Sequence, residues 1–225
     1  MAAYDTVAPV YSRVFGDISL RCFEWPWLKK LILDRNPHSF LDLGCGNGYL
    51  VKALKTMVPD LYAVEPSATM FRIAQEQIGE SAVLYQASAE NLPFANDFFD
   101  MVVSLLSFRY MNWETSLPEI QRVLKPEGTL ILIDLFNARF NPFKLGKYVL
   151  TWAKVRLQYA GNKEYRRKLL ELSHSEDWQK LTEEYPKREL KDAKRAVLER
   201  FFIKGGKLLC QSIRGKTVGL VCRKK

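Results

Sequence analysis

The feature that most constrains this sequence is a glycine-rich loop, residues 44–48 (GCGNG), between a short apolar segment and an amphipathic one. Residues 40–43 (FLDL) predict a buried β-strand, and the apolar residues of 49–57 fall on one face of a helix. Open α/β sheets bind ligands where a strand ends and backbone N–H groups are exposed at the start of the next helix. Glycines let the backbone turn there and approach a ligand closely. The loop therefore predicts an α/β fold with a binding site at this edge of the sheet.

The alternation of strand and helix continues through the first 135 residues. Further strands are predicted at 61–65, 83–87, 99–106 and 129–135, with helices that begin at Ser67 and span 114–124. Near the C-terminus, a predicted helix at 191–203 is followed by two apolar segments with a short turn between them, 208–213 and 217–222. These two segments predict a β-hairpin. We expect a single domain over residues 1–225.

Residues 136–188 interrupt this alternation. They are too many for an ordinary crossover connection, so we predict a helical insert after the fifth strand. Residues 1–135 hold 11 Lys/Arg and 16 Asp/Glu, a net charge of −5, whereas residues 136–225 hold 23 and 9, a net charge of +14. This asymmetry favours an acidic partner such as RNA, an anionic membrane surface or a negatively charged substrate. A solvated basic face explains it equally well.

Composition excludes several other classes of protein. The hydrophobic fraction is 48% and the charged fraction 26%, as in globular proteins, and no stretch approaches the roughly 18 apolar residues of a membrane helix. Residues 1–17 carry charges among their apolar residues and do not resemble a signal peptide, so the cytoplasm is the expected location. Four cysteines without a C-x-x-C pair and two histidines predict no metal site. The oligomeric state is left open.

Glu65 is a second candidate for ligand binding. It ends the second predicted strand, 17 residues after Gly48, at about the offset where an acidic side chain binds ribose hydroxyls in nucleotide-binding folds. One carboxylate can accept a hydrogen bond from both hydroxyls. The alternative is a solvated loop glutamate.

Five motifs in chain order resemble those of class I S-adenosylmethionine-dependent methyltransferases: LDLGCGNG (41–48), VEPS (64–67), AENLPF (89–94), FDMVVS (99–104) and LKPEGTL (124–130). Residues 107–112 are also distantly similar to quinone-biosynthesis C-methyltransferases. The resemblance covers roughly residues 1–135 and the final 35. It implies a three-layer, Rossmann-like α/β fold with a mostly parallel seven-stranded sheet whose last strand is antiparallel.

The resemblance also implies roles in binding S-adenosylmethionine, which leaves as S-adenosylhomocysteine. Asp42 is expected to orient the ammonium of the methionine end, and Glu65 to accept from the ribose hydroxyls. The other residues expected at the cofactor are Gly44, Cys45, Gly46 and Gly48 in the loop, Pro66 and Met70 against the adenine, Ser88, Ala89 and Glu90 on its other face, and Ser104 and Leu105 beside the sulfur. Many relatives carry an Asp where Ser88 stands, so we expect somewhat weaker cofactor binding.

Residues 1–30 are expected to form a helical lid. Their motif Y-D-x-x-A-x-x-Y resembles an opening found in many small-molecule methyltransferases, where it lies over the cofactor. Tyr4 and Tyr11 are seven residues apart and share a face of a helix, which core packing explains nearly as well.

Two residues are candidates for catalysis. Arg109 follows the fourth strand, where relatives often place a substrate-facing residue, and a cation there suits an anionic acceptor. A salt bridge to a neighbouring acid is an equal alternative. His174 is the second candidate, although a position at a helix junction is favoured over a general base.

These features predict methyl transfer by in-line displacement to a small organic acceptor, aromatic or anionic, with the 136–188 insert covering the acceptor pocket. The interleaved basic and aromatic residues of the insert also suit single-stranded nucleic acid, so an RNA methyltransferase is the main alternative. A non-catalytic S-adenosylmethionine-binding protein is the second alternative.

Overall fold

The computed structural model of the protein describes residues 5, 7–21, 24–136, 163–176, 202–212 and 215–224, and the single residues 153, 157 and 179. Within these residues the chain forms one seven-stranded sheet. The strands are β1 (Ser39–Leu43), β2 (Asp60–Val64), β3 (Val83–Tyr85), β4 (Phe99–Leu105), β5 (Leu124–Phe136), β6 (Phe202–Ser212) and β7 (Gly215–Lys224).

The sheet order is β3-β2-β1-β4-β5-β7-β6. The strands from β3 to β5 pair in parallel, and β7 is antiparallel to both β5 and β6. The prediction of a mostly parallel sheet with an antiparallel last strand is confirmed. The order reverses direction at β1, which pairs with β2 on one side and β4 on the other, and such a switch point opens a crevice beyond the carboxyl ends of the strands.

Six helices are described: α1 (Ala8–Val14), α2 (Glu24–Arg35), α3 (Tyr49–Leu54), α4 (Ala68–Ile78), α5 (Trp113–Val123) and α6 (Lys163–His174). Short 3₁₀ helices lie at Ile18–Leu20, Gly79–Ser81 and Phe108–Tyr110. Side-chain caps set two of the helix starts. Ser67 accepts from the N–H of Met70 at the start of α4, and Asn112 accepts from the N–H of Glu114 at the start of α5.

The core lies on both faces of the sheet, because side chains alternate along each strand. Phe40 and Met101 pack with α2 and α3 on one face, and Leu41 and Val102 pack with α5 on the other. All five residues of β1 are buried, as expected for a central parallel strand. The result is a three-layer arrangement with the glycine loop at the end of β1.

The first 35 residues divide into two parts. Leu28 and Ile32 of α2 are fully buried against the sheet, so this helix belongs to the core layer rather than to a lid. The segment 7–21 lies instead against the loops at the carboxyl ends of the strands. Asp5 fixes its start, because the Asp5 carboxylate accepts from the Ser67 hydroxyl and from the Thr69 N–H at the beginning of α4.

Some predicted boundaries were wrong. The third strand ends at Tyr85 rather than at residue 87, and residues 202–203, expected in a helix, begin β6. Of the helical insert predicted at 136–188, α6 is described, and most of the remainder lies outside the described residues. An ion pair between Arg13 and Glu171 at 3.0 Å joins α6 to α1.

Candidate functional site

A cavity of about 380 Å³ lies at the carboxyl ends of β1, β2 and β4. Its walls are the glycine loop, the segments that follow β2, β3 and β4, and the N-terminal segment 7–21. The residues that line it are Tyr11, Phe15, Asp17, Ile18, Arg21, Asp42, Gly44, Cys45, Gly46, Asn47, Tyr49, Leu50, Val64, Glu65, Pro66, Ser67, Met70, Ala87, Ser88, Ala89, Glu90, Leu105, Leu106, Ser107, Tyr110 and Met111.

The glycine loop needs its glycines for two different reasons. Gly44 has φ +74°, and a Cβ there would lie 2.8 Å from the Cβ and Oγ of Ser107. Gly46 has φ +57°, but a Cβ there would meet no protein atom within 4 Å. Position 44 is therefore constrained by packing of the protein, whereas position 46 faces open space in the cavity. The N–H groups of Gly44 and Cys45 are both satisfied by the Val64 carbonyl of β2 at 3.0 Å.

Glu65 holds the loop in place. Its Oε2 accepts from the Gly46 N–H at 2.8 Å, and its Oε1 accepts from the Ser67 N–H at 2.9 Å. Burial raises the pKa of Glu65, and these two backbone donors partly offset the shift. Each carboxylate oxygen can accept a second hydrogen bond. Glu65 can therefore support the loop and still accept from a ligand, as its predicted contact with ribose hydroxyls requires.

Asp42 is the most unusual group in the cavity wall. The side chain is 2% exposed, and its Oδ2 has no hydrogen-bond partner in the described part of the chain. Burial, and secondarily the charge of Glu65, raises the pKa of Asp42 from 3.8 to about 8. A buried carboxylate oxygen without a donor costs free energy unless a ligand supplies one. The structure thus fits a cationic or protonated donor, and the ammonium of S-adenosylmethionine is such a group.

Cys45 contributes its backbone to the cavity wall. Burial, and then the charges of Asp42 and Glu65, raises the pKa of its thiol well above the ordinary value of 9.0. The thiol therefore stays protonated and is a poor nucleophile.

Five more of the predicted cofactor residues line the cavity. They are Pro66 and Met70, which follow β2, and Ser88, Ala89 and Glu90, which follow β3. Burial alone would raise the pKa of Glu90, but its hydrogen bonds, from the Asn112 N–H and others, lower it, so Glu90 is ionised.

Two residues expected at the cofactor do not line the cavity. Ser104 is fully buried behind the wall, where its hydroxyl is 2.8 Å from that of Ser107, and the Ser107 hydroxyl donates to the Leu43 carbonyl. Ser104 therefore supports Ser107, which does line the cavity. Gly48 is turned away from the cavity as well, and a Cβ there would lie 2.8 Å from Ile78 of α4. It permits close packing of the loop against that helix.

Neither candidate catalytic residue reaches the cavity wall. The Arg109 guanidinium is 3.2 Å from Asp134 Oδ1, and the Arg109 N–H donates to Asp134 Oδ2 at 2.8 Å. Of the two alternatives for Arg109, the structure therefore shows the salt bridge and not a substrate-facing cation. Asp134, near the end of β5, is buried, and a buried carboxylate needs a cation. His174 is exposed at the last position of α6. Tyr11 lines the cavity, and Tyr4 lies outside the described residues.

Sequence analysis missed most of the N-terminal contribution to the cavity. Phe15 and Arg21 both line it, with Ile18 between them. The side-chain amide of Asn47 donates to the Phe15 carbonyl at 3.0 Å, and this hydrogen bond fixes the N-terminal segment beside the glycine loop. The i,i+4 spacing of Tyr11 and Phe15 was a usable signal, because their rings share a helical face and lie 4.7 Å apart.

The described residues contain no group of three or more His, Cys, Asp or Glu side chains arranged to hold a metal ion. No helix among them is both long enough and apolar enough to span a bilayer.

Comparison with known proteins agrees with the geometry of the site. Residues 41–132 match the family described as "Methyltransferase domain" (Methyltransf_11). The demethylmenaquinone methyltransferase of Thermotoga maritima is 29% identical over 161 residues, which cover 68% of this chain and 69% of that protein. The ubiquinone/menaquinone biosynthesis C-methyltransferase of Coxiella burnetii is 28% identical over 153 residues, 63% of this chain and 61% of that protein.

Solved structures share the fold at low sequence identity. The PH0226 protein of Pyrococcus horikoshii superposes with a TM-score of 0.66 over the full length of both chains, at 18% identity. A SAM-dependent methyltransferase from Aquifex aeolicus has a TM-score of 0.54 at 16% identity, over 89% of this chain and 88% of that one. The sheet order, the glycine-loop cavity and the sequence matches thus agree in their similarity to S-adenosylmethionine-dependent methyltransferases, with the family match confined to residues 41–132.

Proposed function

We propose that this protein transfers a methyl group from S-adenosylmethionine to a small, largely apolar organic acceptor. The observation that carries the proposal is the combination within one cavity of an unpaired buried carboxylate oxygen on Asp42 and a nearby apolar wall. We define the apolar wall as Ile18, Leu106, Tyr110 and Met111. The carboxylate suits the charged end of the cofactor, and the apolar wall suits an uncharged acceptor.

When bound, S-adenosylmethionine supplies an electrophilic methyl group on a sulfonium. The protein's own part is to bind and orient. Asp42 holds the ammonium, the open backbone at Gly46 admits the methionine end, and Glu65 accepts from the ribose. Positioning two reactants in line can lower a barrier by roughly 7–11 kcal/mol, so methyl transfer needs no covalent intermediate. The apolar wall and the aromatic rings of Tyr11 and Phe15 exclude water from the reacting centre.

An apolar or aromatic acceptor is favoured over an anionic one. Arg109, the cation expected to attract an anion, is already neutralised by Asp134. One of the relatives described above is named a demethylmenaquinone methyltransferase and the other a ubiquinone/menaquinone biosynthesis C-methyltransferase, and a quinol is an aromatic acceptor. We also propose that the insert covers the acceptor pocket. In support, α6 is joined by the Arg13–Glu171 ion pair to α1, whose Tyr11 lines the cavity.

Transfer of a labelled methyl group tests the proposal. The protein is incubated with methyl-labelled S-adenosylmethionine and, separately, with lipophilic phenols and quinols, aromatic carboxylates, or total RNA. We expect label in the phenol and quinol fraction, inhibited by S-adenosylhomocysteine. Label in RNA, with binding that falls steeply as salt is added, would support the nucleic-acid alternative instead. Cofactor binding without labelled product from any class would indicate a non-catalytic protein.

A matched pair of variants separates the acceptor from the cofactor. Met111→Glu places a charge in the apolar wall, and Leu33→Glu makes the same kind of change at an exposed position of α2. We expect Met111→Glu to raise the KM for the acceptor at least tenfold, with S-adenosylhomocysteine affinity changed less than threefold, because burying a charge without a partner is costly. Leu33→Glu should leave both quantities unchanged. Equal acceptor KM values for the two variants would contradict an apolar acceptor site.

A further inference from the structure

We infer that Arg21 binds the carboxylate of the methionine end of the cofactor. The inference rests on the proposed function, and it adds a residue of the N-terminal segment to the cofactor site. It follows from the charges of the cavity wall, from the way Arg21 is held, and from the position of its segment beside the glycine loop.

The charges of the cavity wall leave one place for an anionic group. The described residues that line the cavity include four acidic side chains, Asp17, Asp42, Glu65 and Glu90, and a single basic side chain, Arg21. The methionine end of the cofactor carries an ammonium and a carboxylate on the same carbon. Asp42 suits the ammonium, but a carboxylate in the same acidic cavity needs a cation. Within the described wall, Arg21 alone supplies one.

Arg21 is held in place without being neutralised. Its Nη2 donates to the Tyr11 hydroxyl at 3.1 Å, and its Cζ lies 4.5 Å from the centre of the Phe15 ring. None of the carboxylates in the described residues forms an ion pair with it. A guanidinium has five N–H donors in a planar fork, so most of them remain for a ligand. Stacking on Phe15 limits the rotamers that must be frozen on binding.

The position of Phe15 puts Arg21 at the methionine end of the cavity. The Phe15 carbonyl accepts from the Asn47 amide in the glycine loop, and a Cβ on the adjacent Gly16 would lie 3.0 Å from the Tyr49 hydroxyl. The segment is thus attached to the loop that follows Asp42, so a group stacked on Phe15 lies on that side of the cavity. Groups of opposite charge then flank the end where a zwitterion must bind.

The experiment compares two ligands that differ only in the carboxylate. Binding of S-adenosylhomocysteine and of its decarboxylated analogue, which keeps the amine, is measured by calorimetry on the wild-type protein and on Arg21→Gln. We expect the variant to lose tenfold or more in affinity for S-adenosylhomocysteine, as for a lost charge-assisted hydrogen bond. Its affinity for the decarboxylated analogue should change less than threefold. Arg21→Lys keeps the charge but not the planar fork and should give an intermediate loss.

Arg13→Gln is the matched control. Arg13 lies on α1, is exposed and pairs with Glu171, so this variant removes one positive charge from the same segment without touching the cavity. It should bind both ligands like the wild-type protein. If Arg21→Gln and Arg13→Gln lower the affinity for S-adenosylhomocysteine equally, the cause is the loss of positive charge in general and not the Arg21 contact. This result would overturn the inference.

The remaining outcomes are also distinct. An equal loss of affinity for both ligands in Arg21→Gln means that Arg21 only stabilises the segment. Unchanged affinity for S-adenosylhomocysteine with a raised acceptor KM means that its partner is an anionic acceptor. Either result overturns the inference without refuting the proposed function. Failure of the wild-type protein to bind S-adenosylhomocysteine at all would instead refute the proposed function.

Discussion

Replacing Asp42 by Asn should remove the pH dependence of cofactor binding. The substitution keeps the shape of the side chain but removes its negative charge. In the ligand-free protein the pKa of Asp42 is about 8, because the carboxylate is buried without a partner on Oδ2 and lies near Glu65. A bound ammonium stabilises the ionised form, so binding below pH 8 requires Asp42 to release a proton.

The size of the effect follows from that pKa. At pH 6, two units below about 8, roughly 1% of Asp42 is ionised, so apparent affinity should be about a hundredfold below its value at high pH. Affinity should rise close to tenfold per pH unit from pH 6 and level off above pH 8. Asp42→Asn should bind with little pH dependence. Above pH 8 it should bind about 10- to 150-fold more weakly than the wild type, the equivalent of roughly 1.5–3 kcal/mol for a hydrogen bond between charged groups.

Calorimetry of S-adenosylhomocysteine binding from pH 6 to 8.5, in buffers of different ionisation enthalpy, measures both affinity and proton release. The same shift acts on stability with a defined sign. Between pH 3.8 and about 8 the folded protein holds a proton that the unfolded chain has lost, so the contribution of Asp42 to the unfolding free energy falls as pH rises through this window. A flat affinity profile for the wild type, or the same slope in Asp42→Asn, would refute this account of the site.

Three further predictions concern the glycine loop and the segment after β4. Gly44→Ala should destabilise the fold by about 1–3 kcal/mol, because the new Cβ meets Ser107 at 2.8 Å at a positive φ. Gly46→Ala should cost only about 1 kcal/mol of backbone strain but weaken S-adenosylhomocysteine binding, since its Cβ enters the cavity. Arg109→Met should destabilise by roughly 3–5 kcal/mol, because it removes the guanidinium that pairs with the buried Asp134 carboxylate. Denaturant unfolding with parallel binding measurements checks all three, and a stable Arg109→Met protein with impaired acceptor binding would restore a substrate-facing role for Arg109.

The order of strands and helices up to β5 was predictable because it depends on local patterns. Parallel strands buried on both faces contain continuous apolar segments, as residues 101–103 (MVV) of β4 show. The antiparallel last strand was predicted from the family resemblance, and the short turn between β6 and β7 agreed with that prediction. Boundaries were less predictable, since pairing with a neighbouring strand decides where a strand starts and ends. Leu124, for example, joins β5 only because it pairs with Phe99.

Whether a predicted site residue lines the cavity depends on what sets its position, the chain itself or residues distant in sequence. Asp42 and Gly46 reach the cavity because they end or directly follow a central strand. Ser104 and Arg109 also lie at or after the end of a central strand, β4, yet neither side chain lines the cavity. Ser104 is held by Ser107, and Arg109 is held by Asp134 of a neighbouring strand.

The sequence by itself determined the fold class, the glycine loop and the carboxylates at the ends of β1 and β2, because these depend on local spacing along the chain. Only the tertiary structure decided the charge balance of the cavity. Burial without a donor gives Asp42 its raised pKa, and the Asn47–Phe15 hydrogen bond brings Arg21 to the same wall. Both effects arise between segments far apart in sequence, since desolvation and long-range contacts exist only after the chain has folded.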